Sequence, residues 1–134
     1  MRAIVVTDKN RAAIGTVEAP APGAGEIRVR VKAAALNRAD LLVLAGHRHG
    51  SVGGAGAILG LECAGEVESL GQDVTDFTIG DPVMCSTRHA MAEYAVTDFG
   101  RATKIPAGMS FEEATTLPVA LQTMHDALMT NTVA

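Results

Sequence analysis

Apolar and polar positions change rhythm along this chain, and the changes divide it into strands first and helices last. AIVV at 3–6 is a short β-branched run, and RAAIGTVEAPAPGAGE carries a second short strand into a Pro- and Gly-rich turn. EIRVRVKAAAL then alternates, with Ile27, Val29 and Val31 on one face and Arg28, Arg30 and Lys32 on the other. A period of two predicts a half-buried antiparallel strand with one wet side. The three cations then form a solvated face, although an anionic ligand would also suit them. At Asn37 the period lengthens. NRADLLVLAG opens on an asparagine suited to an N-cap, places Asp40 in the first turn and closes at Gly46, which predicts one short helix. The next segment, GHRHGSVGGAGAILG, has no period and predicts a mobile loop over the surface.

Strand patterning returns in ECAGEVESLG, which closes at Gly71. After the turn-rich QDVTDFTIGD come three more short strands, in PVMCS, AEYAV and RATKI. Pro82 is tolerated as the first residue of its strand. Pro106 and Gly108 then break the chain, and Ser110 with Glu113 forms a capping-box pattern. FEEATTLPVALQTMHDALMTN predicts one short helix and one longer helix meeting near Pro118. The fold class is mainly β with α. Many short strands, and too few residues for a two-sheet sandwich plus helices, predict a small, partly open β-barrel followed by C-terminal helices.

Composition narrows the function. A chain of 134 residues supports one core. With a net charge of -4 and no dense Lys and Arg cluster, no nucleic acid partner is expected. No stretch approaches the ~20 apolar residues of a membrane span, so no membrane contact and a cytoplasmic location are expected. Cys63 and Cys85 lie among apolar residues and predict two buried thiols. In GGAGAILG a dinucleotide-binding G-x-G-x-x-G would need glycine where Leu59 stands, so no cofactor-binding Rossmann unit is predicted. His47, His49, His89 and His125 match no zinc spacing with the two cysteines. No strand-turn-helix elbow frames a Ser or Cys nucleophile. One oddity remains. In LGLECAGE a carboxylate, Glu62, stands in apolar company. A structural anion is predicted there, bonded to backbone amides or paired with an arginine.

The order LNRAD, ILGLECAGEV, VTDFTIGDPV, AEYAV, KIPAGMSFEEATTLPVALQTMHDAL resembles the N-terminal catalytic domain of the medium-chain dehydrogenase/reductases, in their zinc-independent quinone oxidoreductase branch and the related enoyl reductases. The resemblance implies a GroES-like barrel over residues 1–128, with 129–134 starting a connection to a cofactor-binding domain. Zinc-dependent relatives carry a cysteine ligand where Asn37 stands, and Gly-His-Glu at Gly60, Leu61 and Glu62, so the resemblance implies no metal. It implies NADPH as hydride donor and a small quinone or enone as substrate. Asn37 would face the nicotinamide end of the cleft and bond the cofactor or a quinone oxygen. Asp40 would orient that catalytic segment, with helix capping as the alternative. Thr123 would lie near the nicotinamide ribose, with core packing as its alternative. Family members often border the substrate with tyrosines. Here the corresponding segment has Leu42 and Arg48, so Arg48 is a candidate contact for an anionic acceptor. The expectation is the substrate-side domain of such a reductase, a fragment or one half of a split enzyme. Alone it would bind NADPH weakly and turn over little, with a Rossmann-domain chain or a second copy as partner. The other expectation is a non-catalytic barrel serving in binding or self-assembly.

Overall fold

The structure is a computed structural model and describes residues 1–131. Strands β1 (Arg2–Asp8) and β2 (Arg11–Thr16) form an antiparallel ribbon, turning at Asn10 with φ 59°. Strands β3 (Glu26–Ala34), β4 (Glu62–Leu70), β5 (Pro82–Ser86), β6 (Tyr94–Asp98) and β7 (Ala102–Lys104) form a five-stranded sheet in the order β6-β3-β4-β5-β7. Helix α1 (Arg38–Leu44) follows β3. Helices α2 (Phe111–Ala114) and α3 (Pro118–His125) close the chain, and a wider π-type turn continues α3 over Asp126–Thr130. Every strand pair among the described residues is antiparallel, so they contain no parallel βαβ unit. The expected connection at 129–134 begins inside that last turn, and 132–134 lie outside the described residues.

The sheet curls because its central pair is bulged twice. Between the Arg28–Ser69 and Val29–Val67 pairs β4 has an extra residue, Glu68, and between Val31–Gly65 and Ala33–Ala64 β3 has an extra residue, Lys32. Each bulge bends its strand and increases the local twist. Curling brings β6 back toward the end of β5. There the Thr97 hydroxyl donates to the Ser86 carbonyl at 2.9 Å and the Thr87 hydroxyl to the Val96 carbonyl at 2.8 Å. Two side chains thus hold the seam where a ladder would close a full barrel, and the partly open barrel expected from the strand pattern is observed.

Ile27 and Val29 of β3 are fully buried with Cys63, Val67, Val83 and Cys85, as the alternation predicts. The opposite face is less bare than expected. Arg28 bonds Glu68 at 2.6 Å, and Lys32 lies 3.3 Å from Glu66. The glycine-rich segment 46–60 runs over the surface as expected, with 46–51 and 54–56 exposed, but it is anchored at two buried residues. Val52 and Leu59 are buried against Val6 and Val43, and the segment bonds β1 through Val6 N–H to the Ala57 carbonyl and Leu59 N–H to the Ile4 carbonyl. Periodicity cannot reveal this, because two apolar residues among glycines carry no period. At the C-terminal end the Ser110 and Glu113 capping box forms in both directions, at 3.1 and 2.9 Å, and Pro118 opens α3.

Candidate functional site

The start of α1, the start of β4 and the start of α3 meet in one place. Asn37 holds the N-cap position of α1 with extended backbone, φ -119° and ψ 152°. Asp40, 6% exposed, turns back beneath it. One carboxylate oxygen accepts the Asn37 backbone N–H at 2.8 Å and the other accepts the Gly60 N–H at 2.9 Å. The carboxylate therefore fastens the helix start to the strand entry. Gly60 is required there, since its φ is +105° and a Cβ would stand 2.5 Å from the Met91 backbone nitrogen.

Glu62 is the second buried carboxylate, 4% exposed at the head of a strand paired on both sides. Its Oε1 accepts the Asn37 side-chain Nδ2–H at 2.8 Å. Its Oε2 accepts the Val119 backbone N–H at 2.8 Å. Val119 is the second residue of α3, where backbone donors have no intrahelical acceptor, and a negative charge there is favoured by the helix dipole. Of the two kinds of partner expected for Glu62, a backbone amide is present. The other bond goes to the Asn37 carboxamide, and none of the ion pairs among the described residues joins Glu62 to an arginine.

These residues border an open cleft of about 720 Å³. Asn37 and Glu62 line it from the sheet side, and Thr115, Val119, Thr123 and Met124 line it from the helices. Asn37 and Thr123, predicted from distant segments, are thus brought together. Asp40 is not among the lining residues, and both its oxygens are engaged by backbone amides, so it acts on the cleft through the two segments it fastens, at Asn37 and Gly60. Arg48 is exposed on the 46–60 segment and does not line the cleft. A residue missed from the sequence is Thr115, at the C-cap of α2. It is 4% exposed, and its hydroxyl has no hydrogen-bond partner. Nothing in the TT pair after a capping box marks one threonine as the inward one.

Other chemistry is set apart from this cleft. A second hollow of about 510 Å³ has Arg88, Arg101, Glu18 and Asp98 among its lining residues, and none of the predicted site residues lines it. Cys63 and Cys85 are opposite each other on β4 and β5, buried as free thiols with sulfurs 3.6 Å apart. Their hydrogen bond, together with burial, pushes the Cys63 thiol well above the ordinary range, which favours the protonated thiol over the thiolate. Among the described residues no three His, Cys, Asp or Glu side chains converge in a metal-holding arrangement. No helix among them is long and apolar enough to cross a membrane.

Residues 23–123 match the family described as the alcohol dehydrogenase GroES-like domain. The Mus musculus synaptic vesicle membrane protein VAT-1 homolog-like is 36% identical over 135 residues, covering 96% of this chain and 31% of that protein. A quinone oxidoreductase from Pseudomonas syringae pv. Tomato DC3000 superposes with a TM-score of 0.84 at 29% identity, over 98% of this chain and 42% of that one. A mycobacterial protein complexed with NADPH gives a TM-score of 0.80 at 25% identity, over 100% of this chain and 42% of that one. The chain therefore spans about a third of the length of the mouse relative.

Proposed function

The chain belongs to the alcohol dehydrogenase GroES-like domain family, as an N-terminal medium-chain dehydrogenase/reductase domain of the quinone oxidoreductase branch, and from that membership we propose that its cleft receives the nicotinamide end of NADPH beside a small quinone or enone. The observation that carries this reading is the convergence of Asn37 and Thr123 on one cleft.

The residues present suit that end of the cofactor and not its phosphates. A volume of about 720 Å³ is in the range of small-molecule sites. Its lining carries the Asn37 carboxamide and the Thr123 side chain beside the carboxylates of Glu62 and Glu112, while the partnerless Thr115 hydroxyl is itself buried. No Lys or Arg is among the lining residues, so the cleft offers no side-chain cation for a pyrophosphate. When bound, the reduced nicotinamide supplies the hydride. The chain's own residues supply placement. Asn37 orients a ring amide or an acceptor oxygen, Asp40 holds the Asn37 backbone, and Val119 and Met124 keep that wall apolar. With asparagine and leucine at the positions that resemble zinc-ligand sites, this chemistry proceeds without zinc.

Leu121, Met124 and Met129 are 56%, 56% and 65% exposed along the last helix. Such a strip favours a covering partner, which in this reading is a Rossmann-type domain that completes the cofactor site. It also favours the second reading, a barrel that associates with copies of itself.

Ligand competition tests the first reading. Reduced nicotinamide mononucleotide should bind this chain within about threefold of NADPH, since the remaining half of the dinucleotide gains little contact here. Competition against NADPH by an adenosine bisphosphate that lacks nicotinamide would contradict it.

A further inference from the structure

Glu62 has a place in the site that burial alone does not explain. We propose that it is a positioning residue, one carboxylate that locks the Asn37 carboxamide and the first turn of α3 together so that the two walls of the cleft keep a fixed spacing. The proposal rests on the nicotinamide-site reading for its ligand and on hydrogen-bond geometry for its mechanism.

A carboxylate only accepts hydrogen bonds, so it dictates what faces it. At Oε1 it selects the nitrogen of the Asn37 carboxamide over the oxygen, which fixes that side chain against a flip. At Oε2 it holds the Val119 N–H. Thr123 follows Val119 by four residues on the same helix, so the two lie one turn apart on one face. The two bonds thus connect Asn37 on one wall with the Thr123 face on the other. The Glu62 backbone is held in the sheet, because Glu62 pairs with Ser86 of β5 and the next residue, Cys63, pairs with Ala34 of β3. A structural anion would need any two donors. This one takes both of its donors from residues that line the cleft.

Glutamine distinguishes the two roles. It has the same shape but one accepting oxygen and one donating nitrogen, so it can satisfy Asn37 or Val119 and must present a donor to the other. The test uses the whole chain, NADPH as probe, and the set wild type, Glu62→Gln, Asn37→Ala and the double variant. Each single change should weaken NADPH binding about tenfold, and the double should be no weaker than the worse single, because both act through one lock. Losses that multiply in the double variant would overturn the proposal. The side-chain amide resonances of Asn37 provide a readout that does not depend on the ligand. In the wild type these protons should be slow to exchange with water, and Glu62→Gln should make them fast. Fast exchange in the wild type, or no change in the variant, would also overturn it. If NADPH fails to bind the wild type, the nicotinamide reading falls and the amide resonances still decide the role of Glu62. Should Glu62→Gln not fold, the wild-type exchange rates alone decide.

Discussion

Asp40 and Glu62 are both nearly sealed from water, and each is stabilised by two donors aimed at its two oxygens. An unpaired buried carboxylate would cost several kcal/mol, so these bonds are a condition of folding as well as of the site. The glycine between them carries equal weight. Gly60→Ala would place a methyl group 2.5 Å from backbone, at a φ that L side chains rarely adopt. It should lower stability by about 2–3 kcal/mol in urea unfolding, and a loss below about 0.5 kcal/mol would show that the strand entry can shift. At this scale the sequence marked Glu62 as out of place but not its partners. Those come from 25 residues upstream and 57 downstream, separations that no local pattern spans. That Asn37 and Thr123 would share one cleft was legible only through family resemblance. Thr115 was not legible, because facing inward depends on how α2 docks.

Among the elements, alternation located β3 and the capping box located α2, since both are local signals. The bulges were hidden. EVES reads as plain alternation, yet Glu68 stands outside the register and is aimed at Arg28, while Glu66 reaches Lys32. Ion pairing across this pair of strands has a pH signature. The hydrogen bond from Arg28 holds the Glu68 carboxyl below its ordinary value of 4.5. The folded chain then binds this proton less readily than the unfolded chain. The stabilisation is therefore complete above about pH 4.5 and is lost as pH falls through the lower folded value. Melting temperature measured from about pH 7 to pH 3 should drop less steeply below pH 4.5 in Glu68→Gln than in the wild type, with a small loss at neutral pH. Parallel curves would show that the pair contributes nothing.

For the whole molecule, strand order and antiparallel pairing place the beginnings of α1, β4 and α3 around one cleft, on a chain of net charge -4. The class of fold was legible because many short strands followed by helices leave few arrangements for one core. That Arg48 would stand apart from the cleft was not legible, since only Gly56, Ala57 and Leu59 of its glycine-rich segment bond β1, and the part with Arg48 stays exposed and away from the cleft lining. The apolar strip on the last helix extends the same side of the molecule, with Met124 common to the strip and the cleft. Nicotinamide binding in the cleft is tested most directly by a map of backbone and side-chain amide shifts as NADPH is added to the chain. Shifts should centre on Asn37, Thr115, Val119 and Thr123. Shifts centred instead on Arg88 and Arg101, or none at saturating NADPH, would contradict it.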